Sequence, residues 1–410
     1  MKAMKPLRIV FLTSSTHHGG TYVRASLLSR YLAKEGHKVS LINSSGKASF
    51  NADRKRVDGV DVFTLPSLLA SPSNIFLRAS SRIATSFMHT LFNCVLEIAS
   101  DSDILHSFDV VAPQNATPTL VSRILRPLRN HAHKIFVDWD EWYGHGGWFN
   151  AGYQAYFPMM PLLSFLEEKV PLRADAVTVP CEALRQRALG VGVKPENLFV
   201  IRNGANVDFI KPLSAYETRK KLGLPIRNVI YSHFGSIDMK SLNFLMVVHK
   251  KVVTCYPNAL LMFASLRKEQ MKFVRTRVKS LDVARNILCV EWQPYDRYPL
   301  YLGASDILLL PLQDNIFDRV RSQGLRLSDY IATGRPVVAT GLPEITKAMS
   351  ECALLAKPDD PEDFASKVLR LMGDPNLREE LGKRARKLAE TEYSWQIVAK
   401  KLEQAYHQYL

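Results

Sequence analysis

Three arginines and an aspartate fall between positions 319 and 329: Arg319, Arg321, Arg326 and Asp329, with Gly324 and Leu325 among them, in the stretch RVRSQGLRLSDYIATGRPVVAT (319–340). The run reads as a basic, glycine-containing loop that enters a short amphipathic helix. Gly334 stops that helix, and Pro336 opens a buried strand, Val337-Val338-Ala339. A loop-to-helix junction exposes unpaired backbone N–H groups at the positive end of the helix dipole, which suits a phosphate. Asp329, one turn further in, lies within reach of a ribose or sugar hydroxyl. Phosphate donors beside a diol acceptor suit a nucleotide-sugar; a solvated amphipathic helix packed on a sheet is the other reading.

A second group is FVDWDEWYGHGG (136–147), which holds three carboxylates (Asp138, Asp140, Glu141), three aromatics (Trp139, Trp142, Tyr143) and His145. It follows a predicted strand, and ligands in open α/β sheets bind beyond the carboxyl ends of strands. Aromatic faces stack on the CH faces of a sugar while carboxylates accept from its hydroxyls. A divalent metal site and a purely structural corner are the alternatives. His17-His18-Gly19-Gly20 occupies the equivalent place after the first predicted strand, where backbone can approach a ligand closely; a plain Gly-Gly turn is the alternative. It is no GxGxxG, and no acid ends the second strand, which argues against a dinucleotide dehydrogenase. In the second half, Gly235 and Ser236 at a strand end, with Asp238 and Lys240 just after, can receive a diphosphate, although Lys240 equally fits a solvated helix start. Trp292-Gln293-Pro294-Tyr295 offers amides and an aromatic edge to a base. A GxSxG elbow, an HExxH pair and a P-loop are all missing, so hydrolase, zinc-peptidase and NTPase readings lack support.

The elements that must position these groups alternate. A strand over 5–14, a helix over 21–34 and a strand over 38–43 make a βαβ unit, which calls for a parallel sheet and a right-handed crossover. Strands follow at 61–64, 104–106, 134–138, 176–179 and 198–202, with helices at 116–128 and 162–170. A second series places strands at 228–234, 259–263, 287–291, 307–310, 336–339 and 353–355, and helices at 241–254, 268–278, 296–303, 325–333 and 361–372. Two such series joined near 205–225 imply two doubly wound α/β domains facing one another. Amphipathic, strongly charged helices at 376–391 and 395–409 close the chain.

With 410 residues, 47% hydrophobic and 23% charged, the chain suits a folded protein of two domains. Five well-separated cysteines support neither a disulfide framework nor a zinc site, and a reducing cytoplasm suits them. The N-terminus lacks a signal-peptide core, and no apolar run reaches the roughly 18 residues needed to span a bilayer. Net charge is +15, and residues 1–100 carry thirteen Lys/Arg against five Asp/Glu. That surplus favours acidic partners: nucleotide phosphates, anionic headgroups or nucleic acid, the last unsupported by any nucleic-acid-binding motif. Segment 74–99, with Arg78 and Arg82 among apolar residues, reads as a membrane-surface helix or as a buried helix with snorkelling arginines.

RADAVTVPCEALRQRALGVGVKPENLFVIRNGANVDFIKP (173–212), ASDILLLPL (304–312) and LSDYIATGRPVVAT (327–340) make the chain resemble the GT-B glycosyltransferases of the retaining family 4 group, over nearly its whole length. The resemblance implies a GT-B fold, two Rossmann-like domains about a central cleft: residues 1–205 on the acceptor side, 206–390 on the donor side, and 391–410 packing back on the first domain. It implies that Gly19 and Gly20 touch the donor phosphate, Gly235 and Ser236 begin the diphosphate loop, and Asp329 holds the ribose. The family's paired glutamates, eight residues apart, fall on Arg321 and Asp329, and the arginine that often follows the diphosphate-loop glycine is Ser236. Arg319, Arg321 and Arg326 then stand as substitute cations. His145, a candidate for the family's loop histidine, with Asp138 and Asp140, is expected to serve the transferred sugar or the acceptor hydroxyl; His18, Trp139, Glu141 and Trp142 are expected to line the sugar.

The expectation is a retaining sugar transfer from a nucleoside diphosphate sugar to a glycan, lipid-linked or small-molecule hydroxyl. It involves no metal or other cofactor and no nucleic acid, in a cytoplasmic protein with peripheral contact to anionic membrane. A non-catalytic nucleotide-sugar-binding subunit and a nucleotide-sugar epimerase are the rival readings.

Overall fold

Runs such as Ile9–Leu12 and Ile307–Leu310 are apolar without alternation, the pattern of parallel strands covered on both faces, and they become fully buried strands. The computed structural model describes residues 5–13, 20–48, 53–67, 98, 101–108, 133–144, 146–147, 160–235, 237–281 and 286–410. These form two units: Met1–Asn203 with Trp395–Leu410, and Gly204–Ser394.

The first unit runs β1 (Arg8–Leu12), α1 (Gly20–Lys34), β2 (Lys38–Ala48), β3 (Asp53–Val57), β4 (Val60–Ser67), β5 (Ile104–Phe108), β6 (Lys134–Asp138), α2 (Met160–Lys169), β7 (Ala176–Val179), α3 (Glu182–Gly190) and β8 (Leu198–Val200). The sheet order is β3-β4-β2-β1-β5-β6-β7-β8, parallel throughout except for the antiparallel β3–β4 pair. The strand expected at 61–64 is part of β4, while no sequence expectation covers β3. Asp53-Arg54-Lys55-Arg56 is exposed at four successive positions and shows no alternation, yet Asp58-Gly59 carries the signal: both residues take positive φ (49° and 84°), as a two-residue hairpin turn requires. The helices expected at 74–99, apart from Ile98, and at 116–128 lie outside the described residues.

The second unit runs α4 (Ala215–Leu222), β9 (Ile230–Phe234), α5 (Met239–Cys255), β10 (Leu260–Leu266), α6 (Lys268–Leu281), β11 (Ile287–Glu291), α7 (Tyr298–Ala304), β12 (Ile307–Leu310), α8 (Ile316–Arg321), α9 (Leu325–Ala332), β13 (Val337–Thr340), α10 (Pro343–Met349), β14 (Ala353–Ala356), α11 (Pro361–Gly373) and α12 (Pro375–Leu388). Its order β11-β10-β9-β12-β13-β14 is the doubly wound 3-2-1-4-5-6 arrangement. One core layer gathers Leu302, Leu327, Tyr330, Ile331 and Tyr393; the other gathers Leu242, Leu245, Val274, Phe364 and Val368. After a π-helical turn at Ala389–Tyr393, the last helix, α13 (Trp395–His407), packs in the first unit against α1.

Two histidines fasten α13. His37 Nδ1 accepts the Leu7 N–H at 3.0 Å, so its Nε2–H donates to Glu403, also at 3.0 Å. His106 Nδ1 faces the Tyr406 hydroxyl at 2.6 Å and its Nε2 faces Thr178 Oγ1 at 3.1 Å. Burial pushes the His106 imidazole down to about 3, so the ring is neutral in this core. Among the described residues no helix is long and apolar enough to cross a membrane.

Candidate functional site

The strand order of the second unit reverses between β9 and β12, and the residues just beyond the carboxyl end of β9 lie at that switch point. Gly235 takes φ +82°, a conformation open to glycine and strained for other residues. A Cβ there would lie 3.3 Å from Nη2 of Arg326, so the bare backbone lets the guanidinium come close. Arg326 stands in the first turn of α9, whose N-cap is Gly324. With φ −66° and no side-chain cap, Gly324 leaves the first amides of that helix without a side-chain acceptor. Leu325 is the first helical residue and is half-buried.

One turn on, Asp329 accepts a hydrogen bond from the Tyr298 hydroxyl, and burial pushes its carboxyl up to about 8. Tyr330, pushed by burial to about 12, accepts the Phe234 N–H at 2.9 Å, which ties α9 to the end of β9. A backbone glycine, a guanidinium, an open helix N-terminus and a carboxyl with raised proton affinity thus converge. Such a set can take two phosphates and a diol.

The basic loop is corrected. Arg319 and Arg321 sit on α8, where Asn315 caps by accepting the Asp318 N–H at 2.9 Å. The Asn-x-x-Asp spacing is its signal in the sequence. Arg319 donates to Asp314 at 2.7 and 2.9 Å, and burial pushes the Asp318 carboxyl up, with the charge of Arg321 among the effects that oppose it. Only Arg326 of the three is seen beside Gly235. Lys240 is exposed and paired with Asp359 at 3.5 Å, while Asp238 caps α5 through the Ser241 N–H. Trp292 and Pro294 are exposed beyond β11. Ser236 lies outside the described residues.

In the first unit the start of α1 meets the loop that follows β6. Thr21, at the start of α1 beside Gly20, donates to Asp140 at 2.7 Å. One turn later Arg24 holds Asp138 by two bonds of 3.1 and 2.9 Å. Asp138 also accepts from Thr178 at 2.6 Å and has no exposed surface. Its expected catalytic contact is therefore corrected: this carboxylate is spent on a buried ion pair. Trp139 is likewise corrected, being fully buried with its indole N–H on Glu167 at 3.0 Å. Asp140, Glu141 and Trp142 are half-buried, and the Arg187 guanidinium lies 4.5 Å over the Trp142 ring. His18, Gly19 and His145 lie outside the described residues.

Glu167, unmarked in the sequence within an ordinary amphipathic helix, shapes this loop. Its carboxylate accepts the Trp139 indole and the N–H groups of Tyr143 (2.8 Å) and Gly144 (2.7 Å). Burial pushes its proton affinity up while these bonds pull it down. A Cβ at Gly144 would lie 2.5 Å from that carboxylate, so glycine is required there. Glu167→Ala is expected to leave three donors unpaired and to cost about 2–4 kcal/mol locally. Limited proteolysis should then cut within 139–147 faster than in the parent; an unchanged rate would contradict this role.

Arg24 is the other residue the sequence did not disclose. Besides Asp138 it donates to the carbonyls of Ile201 (2.6 Å) and Arg202 (3.1 Å) and to Asn203 (3.3 Å). Its only sequence signal is a charge on the apolar face of α1, beside Leu27, Leu28 and Tyr31.

The family model for glycosyl transferase 4-like domains matches residues 19–204, and that for glycosyl transferases group 1 matches 229–374. A D-inositol 3-phosphate glycosyltransferase of Acidothermus cellulolyticus is 25% identical over 201 residues, 46% of this chain and 43% of that protein. The chain thus spans about half the length of curated relatives it matches. Among solved structures, sucrose-phosphate synthase from Thermosynechococcus elongatus superposes with a TM-score of 0.76 at 18% identity, covering 98% of this chain and 99% of the other. HepE of Anabaena, in complex with UDP and glucose, superposes with a TM-score of 0.69 at 13% identity, covering 98% and 99%. With two doubly wound units, each matched by one of these models, the chain belongs to the GT-B glycosyltransferases, its first half of the glycosyl transferase 4-like kind and its second of group 1.

Proposed function

We propose that this protein transfers a sugar, with retention of anomeric configuration, from a nucleoside diphosphate sugar to an acceptor hydroxyl. The observation that carries the reading is the convergence of Gly235, Arg326, the open N-terminus of α9 and Asp329 at one switch point. In this reading the second unit binds the donor. Arg326 and the first amides of α9 meet the diphosphate and stabilise it as leaving group, with no metal cofactor, and Asp329 meets the ribose. The first unit receives the acceptor, with Asp140, in the loop after β6 and bonded to Thr21, and His145 as the groups that orient the reacting hydroxyl. Relatives that act on inositol phosphate, and a neighbour holding UDP and glucose, support a nucleotide-sugar donor and leave the acceptor class open among glycans, lipid-linked sugars and small molecules. The free cysteines Cys181, Cys255, Cys289 and Cys352 suit a reducing, cytoplasmic compartment.

The test is a thermal-shift series over UDP-, GDP-, ADP- and dTDP-sugars, followed by NMR of the product anomer made in the presence of a chelator. A matching donor at a hundred times its dissociation constant adds about 2.7 kcal/mol of stability and stands out by its shift. If no nucleotide-sugar raises the melting temperature, the donor assignment fails; if the product is inverted, retention fails.

A further inference from the structure

We propose that the solvent face of α6, on the second unit, docks this protein onto a bilayer surface carrying anionic lipid. The helix is amphipathic. Met271, Val274 and Val278 are buried against the sheet, while Lys268, Lys272 and Arg275, spaced four and three residues apart, are exposed on the other side. At 1.5 Å per residue those three charges span about 10 Å along one stripe. None of the three has an acidic partner among the described residues.

On the neighbouring helices many charges are paired, with Lys250, Arg370 and Lys387 as exceptions. On α12, Lys383 and Arg384 pair with Glu379 and Glu380, and Arg386 pairs with Glu390. On α5 and α11, Lys240, Lys251 and Lys367 are each paired with an acid. Residues 204–394 hold twenty-nine Lys/Arg against twenty-two Asp/Glu. Within α6 the balance is five (Lys268, Lys272, Arg275, Arg277, Lys279) to one (Glu269), so a single helix supplies more than half of the unit's surplus. Charge this concentrated complements an extended negative surface.

A second observation favours lipid over an acidic protein. Leu266 at the end of β10 pairs with Glu291 at the end of β11, so Trp292 emerges level with Arg267 at the head of α6. Trp292 is 57% exposed. An exposed indole level with the head of a basic helix suits the headgroup region, where its apolar body is accommodated and the long cationic stems can lie along apolar surface. Each basic residue at such a surface contributes about 1 kcal/mol, so three confer affinity on the order of a hundredfold, sensitive to salt.

The experiment is co-sedimentation of the full chain with vesicles of phosphatidylcholine alone or mixed with phosphatidylglycerol, at low and high salt. The parent should bind only the mixed vesicles, and less at high salt. Lys268→Glu/Lys272→Glu/Arg275→Glu should weaken that binding on the order of a hundredfold. Lys383→Glu/Arg384→Glu/Lys387→Glu on α12 changes net charge equally and should bind nearly as the parent does. If the reversal on α6 impairs folding, judged by melting temperature, Lys268→Gln/Lys272→Gln/Arg275→Gln replaces it with the same expected direction. Undiminished binding by the α6 variant overturns the proposal, as does equal loss in the α12 variant, which would indicate net charge alone. Binding of heparin through α6 with no binding to mixed vesicles would assign the stripe to an acidic polymer and overturn it too.

Discussion

Arg24→Ala is expected to lower the unfolding free energy of the first unit by about 3–5 kcal/mol, the cost of removing one member of a buried ion pair. Arg24 and Asp138 have 2% and 0% exposed side chains, so deletion strands a carboxylate that water cannot reach. It also releases the carbonyls of Ile201 and Arg202. Urea unfolding followed by tryptophan emission is a direct probe, since Trp139 and Trp395 are buried in this unit. The double variant Arg24→Ala/Asp138→Ala should recover part of the loss, because no charge is then left alone. A loss below about 1 kcal/mol in the single variant, the range of surface pairs, would refute the assignment.

The same network has a pH signature. His106 in the folded unit titrates near 3 against an ordinary 6.5, so between those values the unfolded chain binds the extra proton. Stability therefore rises with pH across that window and is flat above it, as far as His106 is concerned.

The second large effect concerns the donor. Arg326→Ala is expected to weaken donor binding by about ten- to a hundredfold, the worth of a charge-assisted hydrogen bond to phosphate. Isothermal titration with the nucleotide-sugar identified by thermal shift measures it, and an unchanged dissociation constant would remove Arg326 from the site. Asp329 adds a pH dependence of the opposite sense to His106. Its folded value is about 8 and its ordinary value 3.8, so the folded state holds the extra proton in between. Stability contributed by protonated Asp329 is present below the ordinary value and is lost as pH rises toward 8. Asp329→Asn removes this slope. Unfolding of parent and variant compared from about pH 5 to about pH 9, above the range where ordinary carboxyls titrate, isolates it. A ribose diol donates best to the ionised carboxylate. Donor affinity in the parent should accordingly tighten as pH rises through about 8, while the Asn variant shows no such rise. A parent as pH-insensitive as the variant would remove Asp329 from the ribose.

Apolar runs without alternation disclosed the parallel strands, and β6, β7, β11 and β12 fall where their composition put them. β3 was illegible because four exposed residues in a row have no period, and only its Asp58-Gly59 turn marks it. α8 reads as a loop because its arginines mask the Asn315 cap. Of the group proposed to hold the donor, Gly235, Arg326 and Asp329 stand where their strand-end and helix-start positions put them. Tyr298 was not, because its approach to Asp329 depends on how α7 and α9 share one core layer. Asp138 and Trp139 were misjudged for the same reason: a carboxylate at a strand end looks alike whether it faces solvent or a buried arginine, and Arg24 lies 114 residues earlier.

The bond from the Phe234 N–H to the Tyr330 hydroxyl joins residues 96 apart, and Gly235 meets Arg326 over a similar span. Such contacts have high contact order: the loop entropy of the intervening chain must be overcome before they reward folding. β9 acquires its β12 neighbour only after two complete βα units have been made. The switch-point cluster of Gly235, Arg326 and Asp329 is therefore expected to be among the last parts of its unit to consolidate, and a chain halted before α9 has four of the sheet's six strands but neither Arg326 nor Asp329.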